Sequence, residues 1–195
     1  MPSQHIKNVK NNTKMREYNP SELIGLEIGG IKPKNVLLTE SELQEYAKSF
    51  PQGVSRKIPE MISQNNEGKI ISTEVKRMPD IIVRREGKIS RREPECTPRG
   101  HQKFGRYRYG MIRHPLAKLV WDAVSKASNL IVSEFNVSEH QIIFIFPEIL
   151  SVKTIERTKK MVLHEAQLAL EKGVTEVKKV SISFGIMNNE DFKID

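Results

Sequence analysis

The segment from residue 96 to residue 114, CTPRGHQKFGRYRYGMIRH, has the composition that contact with a nucleic acid requires. It contains several arginines and aromatic residues but neither Asp nor Glu. Arginine side chains grip phosphate oxygens, and flat aromatic rings stack on bases. Within this segment we predict that nucleic acid is bound by Arg99, Lys103, Phe104, Arg106, Tyr107, Arg108, Tyr109 and Arg113. The alternative is a half-buried strand over residues 106–112, with its tyrosines in the core and its arginines in solvent.

A second group of cations lies shortly before this segment. Two runs of strand-forming sequence, 81–85 and 88–92, flank Glu86-Gly87, which is typical of a tight hairpin turn. The cations on this predicted hairpin are Arg84, Arg85, Lys88, Arg91 and Arg92. Charged edges also keep sheets from aggregating, so a solvated strand face is the alternative. The closeness of the two groups in sequence favours one continuous basic surface.

The overall charge supports a polyanionic partner. The chain of 195 residues carries a formal net charge of +8. A basic balance is typical of proteins that bind nucleic acid, and less often of proteins that bind a membrane surface or an acidic protein. Apolar residues make up 37% of the chain, which predicts a modest core and a long weakly structured part.

Several classes of site are not expected. The single cysteine, Cys96, excludes an intrachain disulfide and any multi-cysteine zinc site. It favours a reducing, cytoplasmic or other intracellular location, including a virus particle or its host cell. No two histidines have the close spacing of a metal-binding pair, and no phosphate-gripping glycine loop follows the apolar run 141–146. We therefore expect no metal and no cofactor, and the lack of a long apolar run predicts no membrane partner.

One pattern permits a hydrolytic interpretation. Metal-dependent nucleases place an acid and an acid-x-Lys pair on adjacent strands, where they hold a divalent cation and orient water. Asp80, followed by Glu86-Gly87-Lys88, contains these residue types. However, Glu86 and Gly87 fall at the predicted hairpin turn instead of inside a strand. A small nuclease that uses Asp80 is therefore the weakest of three functional hypotheses.

The first third of the chain predicts an arm and one short helix. Residues 1–38 are basic and lack a sustained period, so we predict an extended arm, with a short turn of helix beginning at Asn19. We expect this arm to contact protein neighbours in an assembly, and its removal to leave the domain folded. In residues 39–66, Thr39 and Glu42 form the capping box of a short amphipathic helix that ends before Pro51 and is followed by a connector.

The remaining residues, 67–195, predict one α+β domain. A strand over 69–75 and the hairpin occupy residues 67–95, and the basic and aromatic segment occupies 96–114. Residues 115–195 predict a small α/β core that should fold alone: a helix from Pro115 to about Phe135, a central strand over 141–146, a helix capped by Ser151, and a strand over 180–186. A strand–helix–strand order implies parallel pairing where the two strands are neighbours.

These observations define the functional expectation. We predict a non-enzymatic, nucleic-acid-binding structural component of a nucleoprotein or of a viral or phage-like assembly. The aromatic content favours RNA or single strands over duplex DNA. The alternatives are a structural assembly subunit that binds acidic protein neighbours through its arm, and the small metal-dependent nuclease.

Overall fold

The computed structural model describes residues 16–48, 57–78, 115–127, 129–148 and 150–188, without the side chains of residues 115 and 129–131. The helices of this described part are α1 (Pro20–Ile28), α2 (Glu40–Ala47), α3 (Pro115–Val124), α4 (Asn129–Phe135) and α5 (Val152–Glu171), with a 3-10 turn over Pro33–Asn35. The strands are β1 (Val36–Thr39), β2 (Met61–Gln64), β3 (Ile70–Arg77), β4 (Val137–Pro147) and β5 (Lys179–Met187).

The five described strands form one mixed sheet in the order β1-β2-β3-β4-β5. Strand β2 pairs antiparallel with both β1 and β3, whereas β4 pairs parallel with both β3 and β5. The connections between the parallel strands contain α3 and α4 in one case and α5 in the other. The predicted α+β class and the parallel pairing of the last two strands are confirmed.

Helices cover both faces of the sheet. On β4, Phe144 and its alternate neighbours pack under α3 and α5, whereas Ile143 and Ile145 pack under α1. Helix α1 approaches the sheet closely at Gly25, where a Cβ atom would lie only 2.7 Å from Met61 Cε. A third apolar cluster joins α2 and α4 at the β1 end, with Phe135 among its buried residues.

Side-chain caps fix the starts of three helices. Asn19 and Glu22 form a capping box at α1, and Thr39 and Glu42 form another at α2. The Ser151 hydroxyl accepts a hydrogen bond from the Thr154 amide at the start of α5. The sequence predictions of these three helix starts are therefore confirmed.

The interpretation of residues 16–38 as part of an extended arm is wrong. These residues form α1, the 3-10 turn and β1, and Leu37 and Leu38 are buried in the core. The Arg16 guanidinium donates hydrogen bonds to the carbonyls of Val36 (2.6 Å) and Leu37 (3.1 Å), which ties the start of this region to β1. Burial of apolar side chains against the sheet thus orders a stretch whose lack of a sustained period suggested an arm.

The single helix predicted from Pro115 to Phe135 is also wrong, because α3 ends at Val124 and α4 begins at Asn129. Side chains satisfy the last carbonyls of α3. The Ser125 hydroxyl donates to the Asp122 carbonyl (2.9 Å), and His140 Nε2 contacts the Ala123 carbonyl (3.0 Å). Both bonds stabilise a helix end that apolar periodicity alone does not reveal.

Within the described residues, no helix combines the length and the apolar character needed to cross a bilayer.

Candidate functional site

Three glutamates lie side by side across the first three strands of the sheet. Glu40 directly follows β1, Glu60 directly precedes β2, and Glu74 lies within β3. The antiparallel register aligns them, because Thr39 pairs with Met61 and Met61 pairs with Thr73. We call Glu40, Glu60 and Glu74 the carboxylate row.

Glu74 faces the α3 side of the sheet. Its neighbours on β3, Thr73 and Val75, lie against Gly25 of α1, and alternate residues of a strand point to opposite faces. In the parallel register Glu74 is paired with Ile142, whose side chain belongs to the core under α3 and α5. The strand therefore carries a carboxylate into the interior at mid-length.

Glu74 is fully buried, at 0% exposure, yet its carboxylate is poorly satisfied. The Lys76 ammonium, two residues along on the same face, forms an ion pair with it. Oε1 of Glu74 contacts the Lys76 ammonium, whereas Oε2 has no hydrogen-bond partner among the described residues. A buried carboxylate oxygen without a hydrogen bond is costly, and a ligand that bound Oε2 would remove this cost.

The carboxylates also perturb one another's protonation. Burial raises the pKa of Glu74, an effect that the nearby Lys76 and Lys126 ammonium groups partly offset. Burial, followed by the charges of Glu74 and Glu40, raises the pKa of Glu60 to about 8. Glu60 is therefore protonated near neutral pH, and a divalent cation that binds the row must displace this proton.

Hydrogen bonds that involve Glu22 hold Glu40, the first member of the row, in place. The Glu22 carboxylate accepts hydrogen bonds from the backbone amides of Asn19 (2.8 Å) and Glu40 (2.7 Å), which joins the starts of α1 and α2. Glu40 in turn accepts from the side-chain amides of Asn19 (3.2 Å) and Gln44 (3.1 Å). By contrast, Oε2 of Glu60 has no hydrogen-bond partner in the described part of the chain. Glu60 and Glu74 are thus the two carboxylates with oxygens left for a ligand.

Two available carboxylates suit one kind of metal better than another. Among the described residues, no three His, Cys, Asp or Glu side chains are grouped so that they could hold a metal ion by themselves. Structural zinc needs four protein ligands, so it does not fit. Mg²⁺ keeps several waters and binds through one or two carboxylates together with substrate phosphates. A Mg²⁺-type ion, which needs only one or two protein carboxylates, is therefore the metal for which Glu60 and Glu74 alone would be sufficient.

His140 fixes the end of α3 against β3, close to Glu74. Its Nε2 lies 3.0 Å from the Ala123 carbonyl and its Nδ1 lies 2.8 Å from the Ser72 hydroxyl. A carbonyl oxygen only accepts, so Nε2 carries the hydrogen and donates, and the Ser72 hydroxyl donates to Nδ1. Burial lowers the pKa of His140 to about 4, which keeps the ring neutral. The two hydrogen bonds give His140 a structural role.

The residues predicted to bind nucleic acid, from Arg84 to Arg113, all lie outside the described residues. The same holds for Asp80, Glu86 and Lys88 of the nuclease hypothesis, and for Cys96. These assignments remain predictions.

Glu60, Glu74 and Lys76 were not predicted as site residues, although the sequence contains a pattern that points to them. Glu74-Val75-Lys76 is an acid-x-Lys element, and an acid stands at the start of the preceding strand. Strand β2 has only four residues, MISQ, and its pattern does not stand out as a strand. Without β2, the adjacency of Glu60 and Glu74 is invisible in the sequence.

No protein-family model matches the chain, and no characterised protein or solved structure shows significant similarity to it.

Proposed function

We propose that this protein is a metal-dependent nuclease, in which Glu60 and Glu74 bind a divalent cation and Lys76 serves the attacking water. The observation that carries the proposal is the buried Glu74 carboxylate. Its Oε2 has no hydrogen-bond partner within the described residues, and it lies beside Glu60 of the neighbouring strand and Lys76 of its own strand. This is the acid and acid-x-Lys arrangement that the sequence analysis sought around Asp80.

Each of the three side chains has a defined task in phosphodiester hydrolysis. A divalent cation, when bound, polarises the phosphate and lowers the pKa of a bound water. Glu60 and Glu74 supply its protein oxygens. Lys76, whose side chain is 21% exposed, can reach both the carboxylates and solvent. Its ammonium orients the attacking water and stabilises the negative charge that develops on the phosphate.

The chemistry of the rest of the chain favours a nucleic acid as the substrate. The chain carries a net charge of +8, which attracts a polyanion. The sequence between residues 79 and 114, with its predicted phosphate-binding arginines and stacking aromatic residues, follows Lys76 after only two residues. RNA or single strands, and an intracellular location, remain predictions that agree with this proposal.

The test is a cleavage assay on purified full-length protein. Labelled single-stranded DNA, duplex DNA and RNA are incubated with Mg²⁺ or Mn²⁺, or with EDTA, and Mn²⁺ binding is measured by calorimetry. We expect metal-dependent cleavage that falls to background in Glu74→Gln and Glu60→Gln, together with loss of Mn²⁺ binding. Glu45→Gln, at an exposed position of α2, is the matched control and should cleave like the wild type.

Two outcomes would overturn the proposal. Cleavage that persists in both glutamine variants at the site would identify a contaminating nuclease. Binding of nucleic acid by the metal-saturated wild type without cleavage would instead leave the non-enzymatic structural component as the better hypothesis. Protein neighbours bound through residues 1–38 also remain a prediction, although residues 16–38 are part of the domain itself.

A further inference from the structure

The turn that follows α3 carries a cation to the edge of the carboxylate row. His140 bonds both Ala123, in the last turn of α3, and Ser72, which lies two residues before Glu74 on the same face of β3. Lys126 follows Ala123 by three residues, and its amide donates to the Ala123 carbonyl (3.1 Å). The His140 bridge therefore holds the turn that contains Lys126 against β3, and the Lys126 charge acts on Glu74.

A second contact fixes this turn from the side of β2. The Lys57 ammonium donates to the Ser125 hydroxyl (2.7 Å) and forms an ion pair with Asp122 (3.5 Å). Lys57 lies three residues before Glu60, so the turn is held against the segment that leads into β2. The turn that contains Lys126 is thus tied both to β3 and to the segment that leads into β2.

The Lys126 ammonium forms no ion pair or hydrogen bond with the described residues. Lys76 already forms the ion pair with Glu74, and Lys57 is bonded to Ser125 and Asp122. No described carboxylate or carbonyl accepts a hydrogen bond from the Lys126 ammonium, although its charge acts on Glu74. Its side chain is only partly buried, so a ligand at the row can reach it.

We propose that Lys126 binds a phosphate of the nucleic-acid backbone at the carboxylate row, as a second cationic contact that is separate from Lys76. This inference rests on the proposed function, because it assigns the phosphate to the substrate of that site. An ammonium is a compact point charge that binds a phosphate oxygen without a fixed geometry. Lys126 therefore contributes to substrate binding and not to holding the metal.

The test compares Lys126→Ala and Lys126→Arg with Lys118→Ala, which removes an exposed lysine from the same helix–turn unit. Oligonucleotide affinity is measured in Ca²⁺, which takes oxygen ligands as Mg²⁺ does and here serves as a probe ion for binding, over a range of salt concentrations. Cleavage kinetics are measured in Mg²⁺. We expect Lys126→Ala to weaken oligonucleotide binding about tenfold. It should also flatten the slope of log affinity against log salt by roughly one unit, because one phosphate contact is lost.

The controls separate binding from folding and from metal binding. Lys126→Ala should keep the wild-type Mn²⁺ affinity and melting temperature, Lys126→Arg should restore most of the oligonucleotide affinity, and Lys118→Ala should leave the affinity unchanged. Unchanged affinity and salt slope in Lys126→Ala would overturn the inference while leaving the nuclease intact. A loss of Mn²⁺ affinity in that variant would also overturn it, because Lys126 would then act through the carboxylates. A wild type that binds with the predicted salt dependence but never cleaves would defeat the nuclease proposal alone.

Discussion

The most informative residue is Glu74, whose burial conflicts with its charge. A buried carboxylate needs a compensating cation, and in this chain the Lys76 ammonium provides it. The same carboxylate is proposed to bind a divalent cation. Lys76 and the metal therefore compete for Glu74, and metal binding must move the ammonium away from the carboxylate.

This competition predicts an unusual response to Lys76→Met. Breaking a buried ion pair costs roughly 3–5 kcal/mol, so the metal-free variant should melt at a lower temperature than the wild type. Mn²⁺ should bind about tenfold more tightly, since its competitor is gone, and should restore much of the lost melting temperature. Cleavage should nevertheless fall by roughly 100-fold to 10,000-fold, because the water is no longer oriented.

Calorimetry with Mn²⁺, thermal melting with and without Mn²⁺, and cleavage rates test these three statements together. Lys118→Met, which changes an exposed lysine of α3, is the control and should match the wild type in each measurement. Weaker Mn²⁺ binding in Lys76→Met would contradict the competition, since it would show that Lys76 supports the metal instead of opposing it.

At the scale of elements, sequence predicted those parts in which local signals agree with the fold. Pro20 after Asn19 and the capping box at Thr39 identified two helix starts, and the apolar run 141–146 identified a central strand. The break between α3 and α4 was not predicted, because the end of α3 is stabilised by His140 of β4, which is distant in the sequence. The carboxylate row was missed for the same kind of reason, since it requires the pairing of β2 with β3.

The His140 bridge between β4, β3 and α3 predicts acid sensitivity. Burial lowers its pKa from 6.5 to about 4 in the folded state. The unfolded chain therefore binds more protons between these values. The stabilising contribution of His140 is complete above pH 6.5 and is lost as the pH falls through about 4. The shift corresponds to roughly 3 kcal/mol of unfolding free energy.

Chemical denaturation at pH 7 and pH 4 checks this expectation. His140→Asn should be less stable than the wild type by roughly 1–3 kcal/mol at pH 7, because buried hydrogen bonds are lost. The deficit should shrink at pH 4, where the wild type loses the His140 contribution. His164→Asn, at an exposed position of α5, should follow the wild type at both values. A deficit for His140→Asn that is the same at both pH values would show that His140 does not titrate on unfolding.

At the scale of the whole molecule, the core is shared between the two ends of the described chain. Strand β4 is hydrogen-bonded to β3 on one side and to β5 on the other, and Ile24 of α1 packs against Ile143 and Ile145. Composition alone suggested the opposite division, with an independent C-terminal core and a dispensable N-terminal arm. The short helix and the four-residue strand in residues 16–38 show no sustained apolar period, so the sequence did not reveal that they are part of the core.

Truncation therefore has consequences that differ from the sequence expectation. Deleting residues 1–38 removes the four buried apolar side chains described in this region, Ile24, Val36, Leu37 and Leu38. Each contributes roughly 1.5–3 kcal/mol through burial, or about 6–12 kcal/mol together, whereas a whole domain is stable by only about 5–15 kcal/mol. The truncated protein, and likewise the fragment 115–195, should show no cooperative thermal transition.

A chain that begins at residue 16 keeps all of these side chains and the Arg16 contacts with β1, so it should melt cooperatively near the full-length temperature. Circular dichroism melts of the three proteins test this, and a cooperative transition in the fragment 115–195 would show that the N-terminal elements are an addition to the core and not part of it.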